Sequence, residues 1–293
     1  MNEPITVKAL TDAMDTSAKI AQSPGLMTIA DRLFGFKLSE WKAQGDIVKA
    51  QMQQEYKEAS EKGLGFQYVT AFRDKANVLN TLAKATDYVK ENFEREIEFD
   101  EDVFWNLIEH SKTISQEEVQ DLVAKIIAGE YNQRGTYTTH TLQVLKSLGR
   151  DELSKLEKLG CLVVNTNMIP VNLFKLTDGY ESFIESIGIN FTEFQTLQSL
   201  GLVHNNSATK EISNDSGKKF AVSYFDRQLI FASNKEAVGK IQIPSFYPLT
   251  DTGLQLLQHL QPSVNEAYCE WLKENYKIGN YDFEDVINVN YAG

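Results

Sequence analysis

Cysteines and long hydrophobic runs are both scarce in this chain of 293 residues. The two cysteines, Cys161 and Cys269, lie far apart and neither has a CxxC partner, so the sequence predicts neither a disulfide framework nor a zinc site. No apolar run approaches the ~18 residues that cross a bilayer, and the N-terminal residues lack the basic and apolar regions of a secretory signal. We therefore expect a cytoplasmic protein with free thiols and no membrane segment.

Basic residues are outnumbered, because 29 Lys and Arg stand against 41 Asp and Glu and give a formal net charge of −12. This balance disfavours non-specific attraction to nucleic acid or to anionic lipid. The acidity is concentrated between residues 91 and 130, where twelve acidic residues stand against three basic ones. Such a run is typical of a solvated helix face, and an acidic docking surface for a basic partner is the alternative interpretation.

The usual signatures of catalysis are also missing. None of the four histidines has a second histidine or a cysteine within metal-ligand spacing. The Gly63-Leu64-Gly65 segment is not followed by the Lys-Ser or Lys-Thr of a phosphate-binding loop, and no GxSxG element occurs. The sequence therefore predicts no catalytic residue, no metal site and no cofactor, and it favours a protein that is not an enzyme.

The length of the chain favours more than one domain. We divide it into an N-terminal arm over residues 1–36, a helical hairpin and bundle domain over 37–160, a winged-helix-like domain over 161–261, and a C-terminal helix and tail over 262–293. The fold class that this division predicts is mainly α, in which a helical hairpin or bundle is followed by a winged-helix-like α+β domain.

Two long amphipathic patterns meet at the Gly63-Leu64-Gly65 segment. Apolar residues recur every three to four positions over residues 38–62 and again over residues 66–93. The glycines between the two patterns indicate a tight turn, so the pair predicts an antiparallel helical hairpin. We interpret the hairpin as part of a bundle core, and a coiled-coil arm for self-association is the alternative.

A capping-box pattern at Ser115 and Glu118 predicts the start of a helix whose apolar residues share one face. That helix ends near Gly129, and a polar loop leads to the next helix. We take this loop as the candidate interaction site, with four side chains positioned to contact a partner: Glu130, Asn132, Arg134 and His140. In the alternative interpretation, Glu130 and Arg134 satisfy helix-end groups and pair with each other.

Short β-rich segments predict a different architecture for the second half. Two short helices are followed by a strand, a hairpin with its turn at Asp226-Arg227, and a further strand. This order resembles a winged helix-turn-helix, and the tail after residue 279 is expected to be peripheral. The predicted strands lie at residues 161–164, 201–203, 220–225, 229–232 and 241–243.

A winged helix suggests DNA binding, which is our second hypothesis. The cations that would hold phosphates are Lys218, Lys219 and Arg227. The candidate recognition helix over residues 192–200 has no Lys or Arg, and the net charge opposes binding. Because winged helices also serve as protein-interaction modules, we favour a protein partner over nucleic acid. A metal-dependent hydrolase or nuclease that uses carboxylates of residues 91–130 is the third hypothesis.

Several short motifs between residues 77 and 159 carry a family resemblance. They are Asn80 with Ala83, Phe104-Trp105, residues 114–118, Gln120, Leu122, Ile126, Ala128-Gly129-Glu130, Gly135-Thr136-Tyr137, Thr141-Leu142 and Leu145. With these motifs the chain resembles the bacterial family called domain of unknown function 2806. Arg134 stands where the family pattern usually has a proline. The same helices and the LTxxG element at residues 249–253 are more weakly similar to the abortive-infection alpha family of phage-defence proteins.

The resemblance implies an architecture, a bacterial or phage origin and a context of phage defence, but no activity. Our leading hypothesis is a non-enzymatic interaction or regulatory protein of a bacterial cell, acting as an accessory or sensor component of phage defence. It would bind a protein partner and form a homo-oligomer through the hairpin over residues 38–93. The long helices with narrow apolar stripes, the acidic region and the missing reaction centre motivate this hypothesis.

Overall fold

The computed structural model divides the chain into two compact units, Met1–Lys146 and Ser147–Gly293. The four segments expected from the sequence stay a prediction beside these units. Most of the predicted arm, the first part of the hairpin, residues 91–100 and Lys218 lie outside the described residues. The structure describes the isolated positions 12, 20, 26, 30 and 50 and the ranges 53–89, 101–175, 182–213, 219–232, 240–276 and 281–289.

The described part of the first unit is helical. Asn77 donates a hydrogen bond to the carbonyl oxygen of Lys112 at 2.9 Å, which ties the end of the second helix to the middle of the first. The apolar face predicted for residues 119–127 is confirmed, because its side chains are buried. Every helix in the described ranges is too short or too polar to span a bilayer. The named helices are α1 Gly65–Ala85, α2 Glu101–Lys112, α3 Glu117–Asn132 and α4 Thr139–Leu145.

A helix over residues 53–61 precedes α1 and ends in a motif that requires glycine. Gly63 has a φ of +74°, its N–H donates to the carbonyl oxygen of Ser60 at 3.1 Å, and the N–H of Leu64 donates to that of Ala59 at 2.7 Å. These two hydrogen bonds form a Schellman motif, which ends a helix at a residue with left-handed backbone. The tight turn predicted between the two long helices is therefore present at Gly63.

The capping box predicted at Ser115 is wrong. The N-cap of α3 is Gln116, and its side chain makes no capping hydrogen bond. The side chain of Gln120 closes this turn instead, because its Nε2 donates to the carbonyl oxygen of Ile114 at 2.8 Å. A capping hydroxyl would accept a backbone N–H of the first helical turn, so this buried amide, which donates to a carbonyl oxygen before the helix, holds the turn in a different way.

The described part of the second unit combines helices with two antiparallel three-stranded sheets. Its strands are β1 Met168–Pro170, β2 Ala208–Ser213, β3 Lys219–Tyr224, β4 Arg227–Ala232, β5 Lys240–Pro248 and β6 Asp282–Asn288. The strand orders of the two sheets are β1-β5-β2 and β3-β4-β6. Its helices are α5 Arg150–Gly160, α6 Phe183–Ser186, α7 Phe191–Ser199, α8 Asp251–Leu260 and α9 Glu266–Asn275, with a short 3-10 helix at Val171–Phe174.

The predicted fold class, mainly α with a winged-helix-like second half, is wrong. The chain has a mixed α+β fold with two separate antiparallel sheets. The decisive element is β6, which was expected to be a peripheral tail. It pairs with β4 along its length, from Asp282 opposite Ala232 to Asn288 opposite Arg227. The β3–β4 hairpin therefore belongs to a sheet of its own. The acidic residues of β6 hid its strand character, because they interrupt the apolar alternation on which a strand prediction depends.

Three local predictions for the second half are also corrected. Residues 161–163 and 201–202 are not strands, because an apolar run predicts burial without specifying hydrogen-bonding partners. The hairpin turn comes one residue earlier than expected, with Phe225 at a φ of +51°. Each mispredicted segment contributes one isolated β-bridge instead: Val164 with Met168, and Val203 with Leu249.

Tyr224 anchors the β3-β4-β6 sheet within the second unit. Its hydroxyl donates to the carbonyl oxygen of Cys161 at 2.9 Å and accepts the N–H of Asn265 at 2.8 Å. Its ring meets that of Tyr268 edge-on, with 5.4 Å between the centroids. Burial raises the pKa of Tyr224, so the hydroxyl stays protonated and keeps its donor role.

Candidate functional site

A buried carboxylate holds the candidate interaction loop from inside. Glu130 lies in the last turns of α3 and is 7% exposed. Its Oε2 accepts the N–H of Gly135 at 3.0 Å, and its Oε1 accepts the N–H of Tyr137 at 2.7 Å. The carboxylate supplies the hydrogen bonds that regular secondary structure would otherwise give these loop amides. Glu130 therefore shapes the loop from within.

Tyr137 closes the loop against α3. Its side chain packs on Gly129, where a Cβ atom would lie 2.6 Å from the Tyr137 hydroxyl and 2.8 Å from its Cε2. A glycine is needed here because the ring approaches the helix backbone so closely. The next residue, Thr138, caps α4 by accepting the N–H of Thr141 at 3.1 Å. The Ala128-Gly129-Glu130 motif before the loop and the Gly135-Thr136-Tyr137 motif within it therefore pack against each other.

Asn132, the second candidate residue, joins the end of α3 to the segment after α1. Its Nδ2 donates to the carbonyl oxygen of Tyr88 at 3.1 Å. The Tyr88 side chain extends along α3, since Lys125 Nζ lies 5.4 Å from its ring centroid and its hydroxyl donates to Oδ1 of Asp121 at 2.7 Å. Burial and the hydrogen bond to Asp121 raise the pKa of Tyr88 to about 12. We call these four residues the Tyr88 clasp.

Arg134 and His140, the remaining candidate residues, are exposed. The turn beside Arg134 is made by Gly135, whose φ of +77° favours glycine. The structure therefore separates the four candidates into two pairs. Glu130 and Asn132 hold the loop and its helix in place, whereas Arg134 and His140 lie where a partner can reach them. That this loop binds a partner stays a prediction.

The described cations of the DNA-binding hypothesis face carboxylates. Arg227 donates through Nη1 and Nη2 to the two oxygens of Glu266 at 2.7 and 2.6 Å. This hydrogen-bonded pair raises the pKa of Arg227 and lowers the pKa of Glu266. Lys219 contacts Glu284 at 2.5 Å, and Lys218 lies outside the described residues. The paired cations offer little net charge to a phosphate backbone, and nucleic-acid binding stays a prediction.

His110 has an environment that the sequence did not reveal. Its Nε2 is buried and has no hydrogen-bond partner among the described residues. Burial and the charge of Lys146 lower the pKa of His110, although a hydrogen bond to the carbonyl oxygen of Leu145 opposes this shift. In the described ranges, no group of three or more His, Cys, Asp or Glu side chains is placed to hold a metal ion. His110 is a titratable group in the contact between α2 and α4.

The turn before α1 and the first turn of α1 expose two large apolar side chains, Leu64 and Phe66, which we call the hairpin tip. Phe66 is 81% exposed and Leu64 is 41% exposed. Between residues 53 and 71 the only buried residue is Ala59. The sequence pattern placed Phe66 on the apolar stripe of the helix. It is exposed because it lies in the first turn of α1, well before the first buried residue of that helix, Phe72.

A groove of about 430 Å³ opens between the last turns of α1 and the start of α3. We call it the α1–α3 groove. No sequence pattern predicts this groove, because its two walls are separated along the chain. Several of its residues nevertheless belong to the motifs that carry the family resemblance. The groove is lined by Asn80, Ala83, Lys84, Asp87, Ser115, Glu117 and Gln120.

These features define a mixed α+β protein of two compact units. The chain belongs to the family described as "Protein of unknown function (DUF2806)", whose model matches residues 67–273. The resemblance recognised in the sequence is thereby confirmed. The match includes the α1–α3 groove, the Tyr88 clasp and the candidate loop, and it begins one residue after Phe66. No curated protein and no solved structure matches the chain. The weaker similarity to the abortive-infection alpha family stays a prediction.

Proposed function

We propose that this chain is a non-enzymatic interaction protein of a bacterial cell that associates with a second copy of itself through the hairpin tip. The exposure of Phe66 is the observation that carries the proposal. Burying a phenylalanine side chain contributes roughly 1.5–3 kcal/mol, and aromatic residues are common among those that dominate interface energies. A role in phage defence stays a prediction on top of this proposal.

The backbone of the hairpin tip supports a binding role because hydrogen bonds within the chain hold the turn. The Schellman hydrogen bonds of Gly63 and Leu64 fix the turn. On the helix that carries Phe66, the rings of Tyr68 and Phe72 form a T-shaped pair with 5.9 Å between their centroids. A preorganised surface loses less conformational entropy when it binds, so more of the burial energy remains as affinity.

The charge of the hairpin favours a second copy as the occupant. The whole chain has a formal net charge of −12, which makes two copies repel each other. Residues 53–71 carry three acidic and two basic side chains, so this region is close to neutral. An apolar tip flanked by charges of both signs can be self-complementary about a two-fold axis.

Sedimentation equilibrium of the full chain tests the proposal. We expect a reversible dimer whose dissociation constant rises at least about tenfold in Phe66→Ser, as loss of one buried aromatic side chain predicts. Ile287→Ser is the matched control, because Ile287 is a 49% exposed apolar residue in the second unit. A protein that stays monomeric at every concentration, or a dimer weakened equally by both substitutions, would overturn the proposal.

A further inference from the structure

The α1–α3 groove is a second surface of the first unit, and its composition points to a ligand class. Its base contains Ala83 and Gln120, which are 6% and 5% exposed. Gln120 is fixed in one orientation because its Nε2 donates to the carbonyl oxygen of Ile114 at 2.8 Å. Asn80 and Ser115 also line the groove, and the side chain of neither makes a hydrogen bond to another described residue. The groove thus presents one amide at a fixed position, together with an amide and a hydroxyl group that are available to a ligand.

Acidic residues outnumber basic residues in the lining of the groove. Lys84 is its basic residue, and Asp87 and Glu117 are its acidic residues. Lys84 Nζ contacts Oε1 of Glu117 at 3.2 Å, and 84% of the Glu117 side chain is exposed. Such an exposed ion pair contributes little to stability, so an arriving cation can replace Lys84 at little cost. The lining as a whole is acidic and attracts a cationic group.

The size of the groove limits the occupant to a few residues. Its volume of about 430 Å³ lies in the lower part of the range of small-ligand sites, roughly 300–1,000 Å³. Amide side chains such as Asn80 and Gln120 can both donate to and accept from a peptide backbone. We propose that the α1–α3 groove binds an extended segment of a partner protein through an arginine or lysine side chain, which pairs with Glu117 and Asp87. The groove and the hairpin tip share no residue.

Arginine is the better of the two cations for this site. Its planar guanidinium donates to two carboxylate oxygens at once and is more weakly hydrated than an ammonium group. A blocked amino acid, N-acetyl-arginine-N′-methylamide, carries the side chain together with two peptide bonds and serves as the probe. The matching norleucine and aspartate derivatives test the contributions of apolar contact and of charge sign.

The side-chain amide signals of Asn80 and Gln120 in two-dimensional NMR of the full chain report occupancy directly. We expect the arginine probe to shift both signals saturably in the millimolar range, which single side-chain contacts reach. The norleucine and aspartate probes should cause no saturable shift, and added salt should weaken the arginine response. Equal shifts with all three probes, or no shift with arginine, would contradict the proposal.

Substitutions of the carboxylates separate binding from general charge effects. Glu117→Gln should weaken arginine binding by up to about fivefold, as loss of one exposed charge pair predicts. Asp87→Asn is the second variant and should act in the same direction. Glu109→Gln is the matched control, because Glu109 is a 61% exposed acid that pairs with Lys112 outside the groove. If Glu109→Gln weakens binding as much as Glu117→Gln, only the overall charge attracts the probe and the site is refuted.

Discussion

The N–H of Tyr137 donates to Oε1 of Glu130 at 2.7 Å, across seven residues of chain, and the other oxygen of this carboxylate accepts the N–H of Gly135 at 3.0 Å. One buried side chain therefore determines the course of the loop between α3 and α4. The sequence singled out this loop as polar and specialised. The structure shows that much of its polarity is directed inward, where it replaces backbone hydrogen bonds.

Glu130→Ala should destabilise the chain by about 2–4 kcal/mol, because it leaves two loop N–H groups without acceptors, one of them buried. Glu130→Gln should cost less, since its carbonyl oxygen still accepts one of them. Urea unfolding followed by circular dichroism measures both. Glu109→Ala, at an exposed ion pair, serves as control and should change the stability by less than about 0.5 kcal/mol. Equal stabilities for Glu130→Ala and wild type would show that water replaces the carboxylate.

The effect of Gly129→Ala on stability should depend on the residue at position 137: destabilising with tyrosine there and stabilising with alanine. In the wild-type background the new methyl group meets the Tyr137 ring, and overpacking of this kind costs about 1–3 kcal/mol. In a Tyr137→Ala background the clash is gone, and the better helix propensity of alanine should stabilise α3 by up to about 1 kcal/mol. A double-mutant cycle by urea unfolding measures the coupling. Additive effects would mean that the ring moves away freely.

The stability of the chain should depend on His110 at mildly acidic pH. Its pKa is lowered in the folded state, mainly by burial and then by Lys146. The stability due to neutral His110 is therefore fully present above its unfolded pKa of about 6.5, and it is lost as the pH falls through the lower folded value. The denaturation midpoint at pH 5.5 should fall relative to pH 7.5 by less in His110→Gln than in wild type. Identical pH profiles of the two proteins would exclude this role.

The Tyr88 clasp should affect the pKa of Asp121. Burial alone would raise the pKa of Asp121, but hydrogen bonds from Lys125 and Tyr88 outweigh it and lower the pKa. Tyr88→Phe should therefore raise the pKa of Asp121, measured by NMR of its carboxyl carbon. It should also cost about 0.5–1 kcal/mol near neutral pH.

The sign of the Asp121 contribution sets the pH range of that loss. Asp121 stabilises the fold above its unfolded pKa of about 3.9, and this stability disappears as the pH falls through the lower folded pKa. The difference between wild type and Tyr88→Phe should therefore shrink in strong acid. A constant difference down to acid unfolding would mean that Tyr88 acts through packing alone.

Residues with strong local patterns were predicted well. The apolar face at residues 119–127 is buried as its spacing requires. The turn at Gly63 also follows from local chemistry, because a left-handed residue after a helix favours glycine. In each case the interaction that fixes the structure lies within a few residues of the chain.

Residues whose role depends on distant partners were predicted poorly. The sequence suggested Arg227 as a cation for nucleic acid. In the structure it forms an ion pair with Glu266, which is 39 residues away along the chain. The β6 segment lacked an apolar alternation, and only its pairing with β4 makes it a strand. Phe66 fitted the helical period of α1, but nothing in that period shows where along the helix the core begins.

The sequence by itself determined the family, the helices of the first unit and the glycine turns, because short-range periodicity and backbone preference encode them. The tertiary structure decided the fold class, the pairing of charges and the existence of the α1–α3 groove. Each of these requires segments that are distant along the chain to meet. The Glu130 carboxylate shows the difference: the sequence identified it as important, and only the folded loop shows that it binds the backbone N–H groups of Gly135 and Tyr137.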